Sequence, residues 1–284
     1  FTYTEVAAIL GNTRGPEATR RKERVGDLLN LHGVYQSLLK ARLRRGAVDF
    51  ETTETQIVCD DNGRIEKIVP RTRNDAHRLI EEFMLAANEA VASHLEQLSL
   101  PSLYRIHERP DPKRVLEFEE IATQFGYSLT AGGAPVKKFR GETIALDNPQ
   151  LTSRSYQKLV AKVEGKPEER ILSFLMLRSL KQARYSEVNE GHFALAATSY
   201  THFTSPIRRY PDLMSHRLLR KHLDGIVIKG TELAKYEKLS IQSSEREMGA
   251  VRAERDSIKY KMVEFMSDKL GEVFDAHISG ITSY

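Results

Sequence analysis

The sequence predicts an α/β (α+β) fold, in which amphipathic helices are interrupted by short strands. Apolar residues recur at helical spacing in several long segments, for example at residues 75–98. Two alternating segments flank Asn62-Gly63, a dipeptide typical of a two-residue hairpin turn. Hydrophobic residues make up 40% of the 284 residues and charged residues 29%, so the chain can bury a core.

The first half of the chain is predicted to hold three helices, a hairpin and one further strand. An apolar stripe predicts a helix at residues 17–45, and the segments TETQIVCD and RIEKIVP then form the hairpin. Asn74 or Asp75 is the predicted cap of a helix that runs to about Leu98. The segment LYRIH is typical of a short buried strand, and a helix follows at residues 113–125.

The second half is predicted to be more helical. The segment GGAPVKKFRGE is a predicted loop, and it precedes helices at 153–163 and 167–183 and a strand at 192–200. Pro211 suits the first turn of the next helix, and a long charged helix is predicted at residues 231–270. The alternation of GEVFDAHISGIT then predicts the opening strands of a second domain, with its boundary near Leu270.

Composition excludes several classes of protein. No apolar run approaches the roughly 20 residues that span a bilayer, so no membrane association is expected. The N-terminal sequence FTYTEVAAIL lacks the basic and apolar regions of a signal peptide. Cys59 is the single cysteine, so a disulfide within the chain is impossible and a cytoplasmic location is expected.

The charge balance is mildly basic, with a formal net charge of +4. Basic residues gather in the clusters KARLRR, RTR and KKFR, and such clusters can follow a phosphate backbone. For any one cluster taken alone, a solvated helix face is the favoured interpretation. The charge therefore permits a nucleic-acid partner without requiring one.

The segment YTHFTSPIRRYPDLMSHR has the chemistry of an anion site. Arg208 and Arg209 directly precede a predicted helix start, where free backbone N–H groups favour negative charge. The hydroxyls of Thr204 and Ser205 add hydrogen-bond donors, and a phosphate would match the guanidinium forks. The alternative is that both arginines pair with carboxylates of the long charged helix, and the residues alone leave both possibilities open.

The stretch HFALAATSYTHFTSPIRRYPDLMSHRLL resembles the signature of the ribonuclease II and ribonuclease R family. The segments LIEEFMLAANEAVA, RIHE and AERD match the same family in the expected order, and RGAVDFE brings the likeness closer to the ribonuclease R branch. The resemblance implies an RNB-type catalytic domain at residues 1–270, with a sheet flanked by helices around an RNA channel. Residues 271–284 resemble the start of an OB-fold RNA-binding domain.

This resemblance implies a 3′→5′ exoribonuclease that hydrolyses single-stranded RNA processively to nucleoside 5′-monophosphates with Mg²⁺. In the family, the metal-binding aspartates and a tyrosine that closes one side of the base stack belong to sequence that would precede Phe1. Asp60 and Asp61 do not match that cluster, and a solvated turn is favoured for them. Both ends of the chain are therefore expected to be cuts, and the isolated chain is expected to be inactive without an N-terminal part of the same protein.

Two other functions stay open at this point. One is a non-catalytic RNA-binding module built on the same fold, and the other is a basic scaffold with no RNA role. An upstream aspartate cluster would distinguish the enzyme from the binding module. The phosphate-site segment argues against the scaffold.

The resemblance assigns Arg208 to the phosphate next to the scissile bond, which makes it the candidate catalytic residue. Arg209 and Tyr210 are expected to be RNA-flanking contacts or structural supports. His202 and His216 do not have the spacing of a standard metal site, so structural roles are favoured for both.

Four further residues are candidate RNA contacts through the resemblance. Glu81 would accept a hydrogen bond from a ribose 2′-OH, and Tyr3 would lie beside the 3′-terminal nucleotide. Phe50 would close one end of a stack of bases, and Glu254 would lie close to the channel. The alternatives are an exposed helix glutamate for Glu81, a core residue for Phe50 and an i,i+4 ion-pair partner for Glu254.

Overall fold

The computed structural model describes residues 1–50, 55–70, 73–129, 151–228 and 233–275, together with the backbone of two short strands between residues 130 and 150. Helices hold 59% of the residues and strands 9%, so the predicted α/β (α+β) class is confirmed and helices dominate it. The chain divides into two compact units, one of residues 1–50 and 73–243 and the other of residues 51–72 and 244–284. A domain boundary near Leu270 stays a prediction.

Among the described residues, eight helices and part of a ninth belong to the first unit. They are α1 (Tyr3–Gly11), α2 (Pro16–Arg20), α3 (Lys22–Arg45), α4 (Asp75–Gln97), α5 (Pro112–Gln124), α6 (Ser153–Val163), α7 (Glu169–Ser179) and α8 (Tyr210–Leu223). The long charged helix α9 (Leu233–Ser267) begins in the first unit and ends in the second. None of the helices in the described ranges is both long enough and apolar enough to cross a membrane.

The helix ends follow capping rules that can be read from the sequence. Asn74 caps α4, because its Oδ1 accepts from the amides of Ala76 and His77 at 3.1 and 3.2 Å. Thr2 and Glu5 form a capping box at the start of α1. Helix α3 ends at Gly46, whose φ of 101° lies in the left-handed region that favours glycine. These caps fix where α1 and α4 begin and where α3 ends.

The described sheets have two strands each. In the second unit, β1 (Thr55–Cys59) pairs antiparallel with β2 (Ile65–Pro70). In the first unit, β3 (Tyr104–Ile106) pairs antiparallel with β6 (Arg184–Ser186), and the short strands β4 (Lys138–Phe139) and β5 (Glu142–Thr143) pair with each other.

The hairpin is confirmed, but its turn differs from the predicted two-residue one. The Asp60 amide donates to the Arg64 carbonyl at 2.8 Å, so Asp61, Asn62 and Gly63 all lie in the loop. Gly63 alone takes a positive φ, 76°, whereas a type I′ turn would also need one at Asn62. Asp60 Oδ1 accepts from the amides of Asn62 and Arg64, which confirms the solvated-turn interpretation of Asp60.

The predicted strand at residues 192–200 is wrong. His192 and Ala197 exchange backbone hydrogen bonds of 2.8 and 3.2 Å across a tight turn, and Ala196 has a positive φ of 50°. The segment is anchored at its ends by single bridges, from His107 to His192 and from Tyr104 to Thr201. Apolar content alone does not define a strand pattern, and β6, the partner of β3, is too short at three residues to show alternation in the sequence.

The core of the first unit forms mainly between α5, α6 and α7. Its buried members include Phe118, Tyr156, Leu159, Leu172 and Met176. A smaller cluster joins Leu103, Met214 and Tyr236, and it packs α8 and the start of α9 beside the segment that leads into β3. This second cluster supports the loop that precedes α8.

Candidate nucleic-acid interface

A buried asparagine of α4 holds the loop at residues 201–209, which we call the signature loop. Asn88 Nδ2 donates to the Tyr200 hydroxyl at 3.0 Å, and its Oδ1 accepts from the Phe203 amide at 2.9 Å. Thr201, which is fully buried, donates to the Leu103 carbonyl at 2.5 Å. Both polar ends of Asn88 are therefore used to fix the loop onto α4.

The other end of the signature loop is held by Asp212 in the first turn of α8. Asp212 has no exposed surface, and its Oδ1 accepts from the Ser205 amide and from Arg209 Nη2, both at 2.7 Å. Arg209 thus has a structural partner three residues away in α8, and among the described residues this ion pair takes the place of the alternative pairing with the long helix. The hydroxyl of Thr204, predicted to face an anion, is buried without a partner among the described residues.

Arg208 has a different environment from its neighbour. It is exposed, as is Ile207 beside it, and it forms no ion pair with any residue in the described ranges. The amides of Arg208 and Arg209 both donate to the Ser205 carbonyl, at 3.3 and 3.0 Å, so the loop makes a tight turn directly before α8. An exposed guanidinium therefore stands on a hydrogen-bonded turn at a helix N-terminus, where an anion is favoured.

Two histidine rings of the signature region are committed to protein partners. His202 Nδ1 lies 2.8 Å from the Tyr185 hydroxyl. His216 Nε2 donates to the Phe203 carbonyl at 2.8 Å. The His216 ring also stacks on the Phe203 ring, with centroids 3.9 Å apart. Burial, reinforced by the charge of Arg209, lowers the pKa of His202 to about 2, so this ring is neutral. These contacts agree with structural roles for both histidines.

A buried aromatic cluster lies next to the signature loop, and sequence reasoning missed it. The rings of His107 and His192 meet edge to face at 5.1 Å, and His192 meets Tyr200 at 5.3 Å. His107 Nε2 donates to the Lys181 carbonyl at 2.8 Å, and burial lowers its pKa. Burial also lowers the pKa of His192 to about 3. The guanidinium of Arg105 lies 4.7 Å from the centre of the Tyr185 ring.

A second polar cluster surrounds Glu81 and alternates in charge. Arg73 binds the Glu81 carboxylate and also lies 3.5 Å from Asp49. Asp49 in turn contacts Arg42 at 3.2 Å, and Arg42 Nε donates to Glu82 at 2.7 Å. Glu82 is only 4% exposed, and its partner Arg42 is buried as well. Burial raises the pKa of Glu82.

Tyr3 lies close to this charged cluster. Its ring stacks on His77, with centroids 4.1 Å apart, and it remains 46% exposed. His77 precedes Glu81 by one turn of α4, and residues four apart share a helix face. Asn88, which holds the signature loop, follows Glu81 by about two turns. Helix α4 therefore carries both Glu81 and the anchor of the signature loop, and its His77 contacts Tyr3 of α1.

The remaining candidates are less closely grouped. Phe50 is half-buried and packs against the core between α5, α6 and α7, as the core alternative expects. Tyr210, the first residue of α8, is exposed. Glu254 is exposed on the part of α9 in the second unit, and Ala250 and Ile258, four residues away on either side, cannot form the ion pair considered for it. The roles of these residues in RNA binding stay predictions.

The described residues do not fit a magnesium site. Across the described ranges, no group of three or more His, Cys, Asp or Glu side chains could hold a metal ion. Asp49, Glu81 and Glu82 are each paired with an arginine, whose positive charge disfavours a cation at the same carboxylates. No catalytic step is therefore assigned to a metal in this chain.

Comparisons of the sequence with known proteins identify a family. The family model described as RNB domain matches residues 1–225. Ribonuclease R 1 of Lactococcus lactis is 42% identical over 261 residues, which cover 90% of this chain and 30% of that protein. Ribonuclease R of Aquifex aeolicus is 37% identical over 287 residues, or 100% of this chain and 38% of that protein. The chain thus spans about a third of the length of these curated relatives.

A solved structure resembles the whole chain. The structure of Mycoplasma genitalium RNase R in complex with ribose methylated single-stranded RNA superposes with a TM-score of 0.81 and 29% identity. The match covers 100% of this chain and 42% of that one. The arrangement of helices and short strands described above is therefore that of an experimentally known fold.

Proposed function

The chain belongs to the RNB-domain family, and from that premise we propose that the whole protein is an exoribonuclease. It would hydrolyse single-stranded RNA processively from the 3′ end and release nucleoside 5′-monophosphates. The relatives named ribonuclease R support the nuclease activity, and the neighbour with bound single-stranded RNA supports the substrate class. The observation that carries the proposal is Arg208, an exposed guanidinium without an ion-pair partner among the described residues, on a turn with buried anchors.

Arg208 would act on the phosphate at the scissile bond. Hydrolysis of a phosphodiester increases negative charge on the non-bridging oxygens, and a fixed guanidinium stabilises that charge. The turn is fixed because Asn88 and Asp212 hold it from both sides through buried hydrogen bonds. The positive end of the α8 dipole would add to the same field.

The residues along α4 would bind the 3′-terminal nucleotide. Glu81 would accept a hydrogen bond from the ribose 2′-OH, and the exposed ring of Tyr3 would offer an apolar face to the same nucleotide. Phe50 is proposed as the stacking partner at one end of the bound bases, and Glu254 as a residue near the RNA path. Arg209 supports the loop through Asp212, and Tyr210 would flank the phosphate.

Mg²⁺ is proposed as a cofactor of the whole protein, with ligands upstream of Phe1. The described residues supply no such ligand set, so the contribution of this chain is limited to positioning RNA and stabilising charge at Arg208. The isolated chain is accordingly proposed to bind single-stranded RNA weakly and not to degrade it.

A labelled oligoribonucleotide tests the proposal. The whole protein, incubated with Mg²⁺ and single-stranded RNA labelled at its 5′ end, should shorten the RNA progressively from the 3′ end. Because the proposed reaction is processive, the labelled RNA should pass from full length to the short end product with few products of intermediate length. Binding without any shortening would contradict the proposal and leave a non-catalytic RNA-binding module as the function.

A further inference from the structure

We propose that Arg73 is a positioning residue, which orients the Glu81 carboxylate to accept a hydrogen bond from a ribose 2′-hydroxyl. The inference rests on the proposed function, because it takes Glu81 as the residue that meets the sugar. It goes further in assigning a role to Arg73 and to the charged residues behind it. Sequence reasoning gave none of these residues a part in sugar recognition.

The contacts between Arg73 and Glu81 are unequal, and this inequality is the first step. Nε of Arg73 donates to Oε2 of Glu81 at 2.9 Å, and Nη2 makes a second, short contact to the same oxygen. Oε1 receives only a 3.2 Å contact from Nε. Oε2 is therefore fully engaged, whereas Oε1 keeps acceptor capacity for a hydroxyl donor. The arginine leaves one defined oxygen of a half-exposed carboxylate for a ligand.

Arg73 is itself held from behind, which is the second step. Its Nη1 lies 3.5 Å from Oδ1 of Asp49, and Oδ2 of Asp49 lies 3.2 Å from Arg42. Arg73, Asp49, Arg42 and Glu82 thus form a series of alternating charges, and its last two members, Arg42 and Glu82, are buried. Burial of a charged pair restricts both side chains to one geometry. A surface arginine would gain little from a single exposed carboxylate, so this series gives Arg73 an orientation that Glu81 alone would not.

The surroundings of Glu81 match a nucleoside better than a simple cation or anion, which is the third step. Tyr3 and His77 stack one helical turn before Glu81 and present an aromatic surface on the same side of α4. His77 is fixed in turn, because its Nδ1 lies 2.7 Å from Oδ1 of Asn74, the cap of α4. A ribose that reaches Oε1 of Glu81 would therefore have an aromatic ring next to it.

The test compares two oligonucleotides that differ by one oxygen. Binding by the whole protein is measured without divalent metal, for single-stranded RNA and for the same RNA with a 2′-deoxynucleotide at its 3′ end. The parent should prefer the all-ribose form, and Arg73→Gln should reduce that preference on the order of tenfold, the scale of one hydrogen bond to a charged group. Glu81→Gln should reduce it similarly, and the double variant should show no further loss, because both substitutions remove the same contact.

Two further variants separate positioning from general stability. Arg45 binds Glu89 of α4 through two hydrogen bonds of 2.8 and 2.6 Å, and it is 38% exposed where Arg73 is 35% exposed. Arg45→Gln should therefore lower the melting temperature about as much as Arg73→Gln while keeping the ribose preference. Arg73→Lys should keep the charge but lose part of the preference, because an ammonium cannot form the fork.

The outcomes distinguish this inference from the proposed function. An equal loss of affinity for both oligonucleotides in Arg73→Gln would overturn the positioning role and indicate a phosphate contact instead. A parent protein with no ribose preference, or a double variant with additive losses, would overturn it as well. Failure of the whole protein to cleave RNA with Mg²⁺ would contradict the proposed function alone, because the binding comparison does not depend on cleavage.

Discussion

Arg208 and Arg209 are adjacent in sequence, yet their surroundings give them different tasks. Arg209 turns towards the fully buried Asp212, and its loss would leave that carboxylate without its charged partner. Arg208 is exposed and forms no ion pair with the residues described. The pair shows how one loop combines a structural arginine with one that is available to an anion.

Phe50 allows a prediction that separates packing from base stacking. In the whole protein, Phe50→Ala should lower the free energy of unfolding by roughly 2 kcal/mol, less than for a fully buried phenylalanine because the ring is half-buried. If the ring also stacks on RNA, the same variant should bind RNA more weakly, by about 1–3 kcal/mol, and change the length of the final product. Denaturant titration and a product ladder measure the two effects.

Phe50→Leu is the matched control for this prediction. Leucine keeps most of the packing against the core and should cost less than about 1.5 kcal/mol of stability, but it removes the aromatic face. A leucine variant with unchanged affinity and product length would show that Phe50 is a core residue only.

The sequence shows which of the site residues are charged or polar, but it does not show which side chains surround them in the fold. Glu81 and Glu82 are adjacent helix glutamates, and no pattern shows that Glu82 pairs with Arg42, forty positions earlier in the chain. Asp212 offered a usable signal, because an acidic residue in the first turn after Pro211 is typical of a helix start. Asn88 offered none, since its role depends on the position of Tyr200 and Phe203 in the fold.

At the scale of elements, α4 is the organising helix of the candidate interface. It carries His77 and Glu81 near its start and Asn88 further along, so one helix positions both the proposed nucleotide contacts and the signature loop. Its apolar stripe and its cap were both readable in the sequence, and its observed bounds differ from the predicted ones by about one residue. The precision of the site thus derives from an element that local rules define well.

His192, next to the signature loop, and His202, within it, allow a prediction of how stability depends on pH. Burial lowers the pKa of His192 to about 3 and of His202 to about 2, far below the ordinary value near 6.5. Between these values the unfolded chain binds protons that the folded chain does not, so the free energy of unfolding should fall as the pH falls below about 6.5. From pH 7 to pH 5 we expect a loss on the order of 1–2 kcal/mol for each histidine.

Denaturant titrations at both pH values measure this loss, and His202→Gln provides the control. The variant lacks one of the two groups, so its stability should depend less steeply on pH than that of the parent. Equal slopes for variant and parent would show that His202 does not contribute to the acid sensitivity.

Element boundaries show where sequence patterns stop being informative. Helices α5, α6 and α8 lie where apolar spacing, prolines and caps predicted them. Helix α7 is shorter than predicted, and the segment at 192–200 is irregular although it is rich in apolar residues. Its conformation follows from backbone hydrogen bonds with Arg105 and His107, which are distant in sequence, and a local pattern cannot contain them.

At the scale of the whole molecule, the candidate residues are divided between two units. Tyr3, Phe50, Glu81 and Arg208 belong to the first unit, and Glu254 belongs to the second. The chain spans about a third of the length of its curated relatives, so the complete activity is a property proposed for the whole protein. The OB-type start at residues 271–284 lies outside the described residues from residue 276 onward, and it stays a prediction together with the cytoplasmic location.

The most direct test of the account is the single-turnover rate of Arg208 variants of the whole protein on single-stranded RNA. Arg208→Ala should slow cleavage on the order of 10²–10³-fold, the scale of one lost preorganised electrostatic contact. Arg208→Lys should also be slow, because an ammonium does not reproduce the planar fork. RNA affinity should fall much less, since many phosphates share the binding.

Melting curves on the same preparations complete this measurement, with Arg209→Ala as the reference for a structural arginine. The account predicts that Arg208→Ala melts like the parent and cleaves slowly, whereas Arg209→Ala melts at a lower temperature because Asp212 loses its partner. Near-normal cleavage by Arg208→Ala together with a lowered melting temperature would contradict the account and make Arg208 a structural residue.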